Sequence, residues 1–355
     1  MSSLVEEMNA KAIALGVPIA AHLDLTYRCN ERCVHCYLDH DDRGEMNHGE
    51  IRRLLEQMAD AGVFMLALSG GEPLLREDFF PIVRRARQLQ FNVKVKTNAT
   101  LIEKREAAAL CELGVANVQV SVYSHRAEVH DAITRVPGSF RRTIDAIRRL
   151  AAQGLKVTIA DVLMRQNRLD YPGVQALARE LGASFAIDPT ITPHLNGDRS
   201  LLELNIARAD LQAVMRDETI GGVAPQSCPP PSRAGAAEAV EVPCSAGHSF
   251  CYVSPTGDVY PCVQFPLLSG NVRSQSFLDI WRNSPELKEV RSIRERDLRV
   301  CSRCVHASGC SRCPGLAFME GDMRGPSSAD CEKSYARTGI AGAGMPDAAN
   351  SGTAA

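Results

Sequence analysis

The sequence predicts an α/β protein: strands and helices alternate along a parallel sheet, and a cysteine-rich region of short strands and loops follows. Three observations carry this. From about residue 20 to residue 190, apolar strand-like runs alternate with segments of helical period, giving six strand–helix units. Gly62, Gly114 and Gly154 each fall where one of those helices stops and the next apolar run begins. Finally, eleven of the thirteen cysteines fall into two groups, three between Cys29 and Cys36 and eight between Cys244 and Cys331.

In chain order, residues 1–18 read as a short helical lead-in. His22 to Thr26 is the first strand. Asn47 caps a helix with Glu50 three residues on, and that helix ends near Gly62. Val63 to Leu68 is the second strand, running into Ser69-Gly70-Gly71-Glu72-Pro73. Asp78 is a cap for a helix reaching Gln90. Phe91 to Thr97 is the third strand, Glu103 to Leu113 the next helix, and Val115 to Val122 the fourth strand. Ser139 to Gln153 is helical, Leu155 to Leu163 a strand, Tyr171 to Leu181 a helix and Ser184 to Asp188 the sixth strand. The pattern fits either a doubly wound open sheet or a partial barrel, and in both the active site lies at the carboxyl ends of the strands. Residues 19–200 form this core, 201–241 a helical and Pro-rich linker, 242–335 the cysteine-rich domain and 336–355 a tail expected to be disordered.

Composition excludes several classes. With 355 residues, 45% of them hydrophobic, the chain can bury a sizeable core. A net charge of −2 gives no support for nucleic acid or a membrane surface as partner. The first 25 residues lack a signal-peptide pattern, and no apolar run is long enough to cross a bilayer. The expected location is therefore the cytoplasm, where cysteines at this density point to metal rather than disulfides.

Cys29, Cys33 and Cys36 follow the first strand in the spacing C-x₃-C-x₂-C. Three thiolates on one loop can hold three corners of a four-iron cluster and leave one iron open, whereas an electron-carrying cluster normally takes four protein ligands. A zinc site completed by His35, His22 or His40 is the rival reading. The cysteines follow strand one and the Gly-Gly-Glu-Pro stretch follows strand two, so both occupy one rim, which favours a catalytic site.

The loop, with Tyr37 directly behind Cys36, resembles the radical S-adenosylmethionine (radical SAM) enzymes. That resemblance implies a partial (β/α)6 TIM-like barrel. It implies that SAM chelates the open iron and is cleaved to a 5′-deoxyadenosyl radical. It further implies that Gly70, Gly71, Glu72 and Pro73 receive the SAM amino group and that His35 and Tyr37 pack against the adenine. Asn98, in a Lys96–Thr100 stretch similar to the family's TNG motif but with Ala99 at the third place, is a candidate SAM or substrate contact. Ser121 is a candidate ribose contact, and Arg135 a candidate partner of the SAM carboxylate.

The second group, Cys244, Cys251, Cys262, Cys301, Cys304, Cys310, Cys313 and Cys331, closely resembles the SPASM extension of radical SAM peptide-modifying enzymes. The x₂ spacing between Cys310 and Cys313, where x₃ is usual, is a departure. The resemblance implies two auxiliary four-iron clusters. Cys244, Cys251, Cys262 and Cys313 would hold the first, and Cys301, Cys304, Cys310 and Cys331 the second. If Cys251 is instead a buried strand residue, the first cluster has an open iron; zinc is the other alternative. Cys111 reads as a buried apolar thiol, and Cys228 lies in the Pro-rich loop.

The function this implies is oxidative modification of a ribosomally made peptide by cross-link or thioether formation, as in the pyrroloquinoline quinone and mycofactocin maturases. The expected partners are the precursor peptide, a separate leader-peptide-binding (PqqD-like) protein, since the residues before the barrel are too few for such a module, and a reductant such as flavodoxin or ferredoxin. The alternatives are a small-molecule radical SAM enzyme acting on a haem precursor and a non-catalytic electron-transfer protein. Val263, where anaerobic sulfatase maturases carry Asp, argues against that activity.

Overall fold

The computed structural model describes residues 4–220, 242 and 244–338. Seven strands run parallel: β1 (Ala20–Asp24), β2 (Met65–Ser69), β3 (Asn92–Thr97), β4 (Asn117–Ser121), β5 (Val157–Val162), β6 (Ser184–Asp188) and β7 (Phe250–Val253). Two antiparallel strands, β8 (Asp258–Tyr260) and β9 (Gly270–Asn271), complete one sheet in the order β6-β5-β4-β3-β2-β1-β7-β8-β9. Strands one to six lie in simple succession, so every crossover winds the same way. A doubly wound sheet would reverse its order at a switch point. The crossover helices therefore share one face of the sheet and the other face lines an interior space. The order has two ends, at β6 and β9, so the barrel is partial.

Helix α1 (Leu4–Leu15) precedes the sheet. Helices α2 (His48–Asp60), α3 (Phe79–Gln88), α4 (Lys104–Glu112), α5 (Ala127–Thr134), α6 (Ser139–Ala152) and α7 (Tyr171–Glu180) lie between the strands. Alternate strand residues, among them Leu23, Leu68, Val95 and Val120, are fully buried in one continuous core with Leu55, Val83, Leu110 and Ile147 of the helices. The cap of α2 forms as expected: the Asn47 side chain accepts from Glu50 N at 3.0 Å and Glu50 accepts from Asn47 N at 2.8 Å. Asp78 does not cap α3. Its carboxylate is taken by Arg76, whose Nε and Nη2 both donate at 2.8 Å. Helix α5 was not legible in the sequence. It is short, carries little apolar periodicity, and ends at Arg135, which adopts a left-handed φ of 59° where a glycine would have signalled the stop.

After β6 the chain forms α8 (Arg208–Arg216), in the stretch read as linker. Residues 221–241, including Cys228, and the tail from residue 339 lie outside the described residues. The cysteine-rich region is joined to the barrel rather than set beside it. β7 pairs with β1, Ala21 opposite Cys251 and His22 opposite Tyr252. Helices α9 (Phe277–Asn283) and α10 (Pro285–Ser292) follow. Phe277 and Trp281 enter the barrel's own core, and Trp281 Nε1 donates to Gly16 O at 2.7 Å. Arg291 stacks on the Trp281 ring at 4.2 Å. The last helices are α11 (Pro314–Met319) and α12 (Ser328–Thr338), with α12 packed on α8.

A buried ion pair ties the two regions. Lys333 Nζ lies 2.8 Å from Asp330 Oδ1 and donates to Thr190 Oγ1 at 3.0 Å, while Asp330 Oδ2 accepts from Cys313 N at 2.7 Å. Both side chains are nearly inaccessible, so removing one partner strands a buried charge. Asp330→Ala is expected to cost about 3–5 kcal/mol in a denaturant titration, with part recovered in the Asp330→Ala/Lys333→Met double variant. A loss under 1 kcal/mol would mean the pair is solvated.

Candidate active site

The carboxyl ends of β1, β2 and β3 converge on the Cys29–Cys36 loop. The Gly-Gly-Glu-Pro turn after β2 lies directly on it: Gly71 N donates to Thr26 O at 2.7 Å and Glu72 N to Arg28 O at 2.9 Å. Gly70 adopts φ 139°, and a Cβ there would stand 2.2 Å from Thr26 O; a Cβ on Gly71 would stand 2.4 Å from Arg28 O. These glycines let two backbones touch, so their first partner is the cysteine loop itself. From the far side, the end of α5 contributes Thr134 O and Ile133 O as acceptors for Arg32 N and Val34 N. Glu45, which the sequence reading did not single out, accepts from Tyr27 N and from Thr26 Oγ1.

Glu72 is fully buried behind this turn. Its carboxylate accepts from Leu74 N at 3.1 Å, Thr97 Oγ1 at 2.8 Å and Asn98 N at 2.9 Å, which splices the ends of β2 and β3 together. Burial pushes its carboxyl up to about 7, against the pull of those donors. Its oxygens are engaged by these donors, so it braces the two strand ends beside the cavity described below. Pro73 is likewise buried, opening a single helical turn. Arg135 is exposed at the end of α5, outside the residues that line the cavity described below.

Other expected residues do converge. An interior cavity of about 650 Å³ runs along the lumen, and its wall includes Cys29, Cys33, Cys36, His35, Tyr37, Gly70, Gly71, Asn98 and Ser121. Asn98 Nδ2 donates to Asn30 Oδ1 at 2.8 Å and sits 3.9 Å from Cys29 Sγ. Ala99, at the place of the family's glycine, takes φ 62°. His35 lies edge-on to Tyr123 at 4.8 Å, and burial lowers it to about 4, leaving it neutral near pH 7. Glu31, also missed, is buried against the loop with Oε2 3.6 Å from Cys33 Sγ; no spacing rule marks it.

The thiols fit a polynuclear metal group. Burial pushes Cys29 up to about 12, and the Glu72, Glu31 and Cys36 charges add to it; Cys33 is raised by burial and then by Glu31, Cys36 and Cys29. In the C-terminal region, burial raises Cys331 to about 12, with Cys310, Cys301 and Cys304 contributing, and raises Cys310 to about 11. Sulfurs that feel one another in a desolvated site hold their protons until a cation replaces them. Cys301, Cys304, Cys310 and Cys331 thus act on one another as one neighbourhood of thiols; among the described residues no three His, Cys, Asp or Glu side chains close around a single metal ion, so their donor chemistry suits the wider span of a cluster rather than zinc. Cys244 and Cys262 pack against the apolar group around Ala246 and Phe265, which Cys301 also touches from the other set, and the Cys313 sulfur lies 3.9 Å from Gln264 Oε1.

Cys251 stands apart. It lies on β7, fully buried in the barrel core, on the same strand as Tyr252, whose hydroxyl donates to Asp24 at 2.9 Å. Burial raises its thiol to about 12, and no other cysteine contributes to that shift. Its placement favours the alternative reading of a buried strand residue, because strand alternation sends it to the face opposite its neighbour. Cys111 is half-buried on α4, its thiol donating to Gln153 O at 3.2 Å.

A partial barrel with a three-cysteine rim loop, joined to a region dense in desolvated thiols, defines an iron–sulfur enzyme class. The family model described as the radical SAM superfamily matches residues 23–172, and that of the SPASM iron–sulfur cluster-binding domain matches residues 244–305. The mycofactocin maturase MftC of Mycobacterium tuberculosis is 30% identical over 343 residues, 92% of this chain and 86% of that protein. The AdoMet-dependent heme synthase of Methanosarcina barkeri is 29% identical over 320 residues, 83% and 90% of the two chains. Among solved structures, Streptococcus suis SuiB bound to S-adenosylmethionine superposes with a TM-score of 0.72 at 19% identity, covering 89% of this chain and 77% of that one. The chain belongs to the radical SAM superfamily and carries its SPASM extension. It is an enzyme whose core binds a [4Fe–4S] cluster and SAM and whose C-terminal region binds auxiliary iron–sulfur clusters.

Two outcomes test this geometry. Gly71→Ala should lower stability by about 1–3 kcal/mol in a denaturant melt, since backbone rather than a flexible side chain must give way. Cys251→Val should leave the iron content of reconstituted protein at the wild-type level, whereas Cys262→Ala should lower it; equal loss in both would make Cys251 a ligand.

Proposed function

We propose that this enzyme oxidatively modifies a ribosomally synthesised peptide, forming a cross-link or thioether. A [4Fe–4S] cluster with bound SAM supplies a 5′-deoxyadenosyl radical, the hydrogen-abstracting agent of the superfamily. Cys29, Cys33 and Cys36 would hold that cluster, with Gly70 and Gly71 shaping the wall beside it and Asn98, Ser121, His35 and Tyr37 available to SAM. The chain's part is to enclose the substrate in the lumen and keep water from the radical.

One observation carries the oxidative reading. The region after Cys262 reaches the same cavity as Cys29: Val263 and Gln264 line it, and the Cys262 charge is felt by both Tyr37 and Lys96. A group able to accept an electron at Cys244, Cys262 and Cys313 would adjoin the place where hydrogen is removed. Similarity to a peptide maturase over nearly the whole chain points to a peptide. A comparable identity to a heme synthase supports a second reading, a haem precursor as substrate. For the peptide reading we further propose a separate leader-peptide-binding protein and a flavodoxin- or ferredoxin-type reductant.

Anaerobic reconstitution should yield about twelve irons per chain, for three four-iron clusters; a stable content of four would remove the auxiliary assignment. Under dithionite, SAM should give 5′-deoxyadenosine, and a peptide encoded beside the gene should lose mass as hydrogen. Turnover of a haem precursor instead, with the peptide unchanged, would select the second reading. Absence of deoxyadenosine would leave only electron transfer. Full-affinity binding of the leader peptide by this chain alone would remove the separate partner.

A further inference from the structure

The floor of the lumen carries a basic feature that neither the SAM-binding motifs nor the cysteine sets use. Lys94 and Lys96 occupy alternate positions on β3, below Asn98 at the rim, and both line the cavity. Two residues along a strand advance about 6.6 Å, so each lysine stands one such layer deeper than the residue before it on that face. Their strand neighbours in register are Ala67 and Asn117 for Lys94 and Gln119 for Lys96, none of them acidic. Ala67, Ala160 and Ala186 also line the cavity, so small side chains leave space around the amines.

Among the described residues, neither ammonium takes part in a hydrogen bond or an ion pair. The acidic groups that act on Lys96 at longer range are Asp24, the Cys262 thiol and Asp188. Asp24 is committed elsewhere, Oδ1 to His22 Nε2 at 3.0 Å and Oδ2 to the Tyr252 hydroxyl at 2.9 Å. Asp188 Oδ1 accepts from Thr190 N at 2.9 Å. Burial lowers the Lys96 amine, and the Lys94 charge lowers it further against the opposing pull of Asp24, Cys262 and Asp188. Two like charges thus face one cavity, and among the described residues no acid lies within ion-pair distance of either, although Asp161 and Asp188 share the wall. Keeping such a pair is costly unless a ligand supplies the opposite charge. A carboxylate there would accept from both ammoniums.

We propose that Lys94 and Lys96 form a subsite at the depth of the barrel that receives a carboxylate of the substrate and so sets which atom is presented to the rim. This rests on the reading of the lumen as the substrate site. A peptide C-terminus and a propionate of a haem precursor share that chemistry, and the lysines would anchor either from below. The cavity wall also includes Val5 and Asn9 of α1 and Ser249, and Ser249 donates to Asn9 at 2.5 Å, so that end is lined by protein and the carboxylate enters from the rim.

The test uses reconstituted holoenzyme with SAM bound, in wild type and in the Lys94→Met/Lys96→Met variant. Two probe pairs are compared: coproporphyrin III against its tetramethyl ester, and N-acetyl-tetra-alanine as the free acid against its C-terminal amide. At least one free acid should bind wild type tenfold or more tighter than its neutral counterpart, and that preference should vanish in the variant. Which pair shows it identifies the source of the carboxylate. Iron content and the cluster absorbance confirm that the variant is folded, and single Lys94→Arg and Lys96→Arg variants, which keep the charge, should retain part of the preference. No acid preference in wild type, the same preference in the variant, or a loss confined to SAM binding would each overturn the subsite. Deoxyadenosine formation by wild type is scored separately, so failure of the radical chemistry is distinguishable from failure of the lysine pair.

Discussion

The site depends on a contact between two stretches of main chain. The turn after β2 presses against the cysteine loop after β1, with Gly71 N on Thr26 O and Glu72 N on Arg28 O, and this approach is possible only because residues 70 and 71 have no side chains. Once the two backbones touch, Glu72 is buried between them and the end of β3, and its carboxylate satisfies the open donors of that third strand. Three strand ends thereby become one rigid rim. A buried carboxylate accepting several hydrogen bonds is a strong clamp because its alternative, an unsatisfied charge in apolar surroundings, is so unfavourable.

The C-terminal region shows the same economy. Its first strand adds to the barrel sheet beside β1, and the hairpin beyond returns to the lumen through Val263 and Gln264. The auxiliary thiols are thus placed relative to the radical site by hydrogen-bonded strand register instead of by a flexible hinge. Trp281 under Arg291, and Lys333 between Asp330 and Thr190, fasten the remaining helices. Such a junction suits chemistry in which two redox groups must keep a fixed separation.

Family membership and the lumen together divide the question of function unevenly. Radical chemistry follows from the cysteine loop and its matched models. The substrate does not follow, since relatives of comparable identity bear names of different activities. The features that decide it are those that vary inside a shared scaffold, here the residues on the inward positions of the strands. Lys94 and Lys96 are read along β3 as half of an ordinary alternating pattern; only the curvature of the open sheet turns that half into the wall of a cavity.

The sequence by itself determined the alternation of elements, the rim that carries the cysteine loop, and the division of cysteines into two groups. These are local facts: period, turn residues and ligand spacing act over a few positions. The tertiary structure decided that Cys251 belongs to the apolar core and Tyr252 to the interior. It also decided that Glu72 braces two strand ends, that Arg135 is exposed, and that α5 supports the loop. Each of these depends on which face of an element meets which neighbour, and that is set by strand register and packing between segments distant in the chain, which no local pattern encodes.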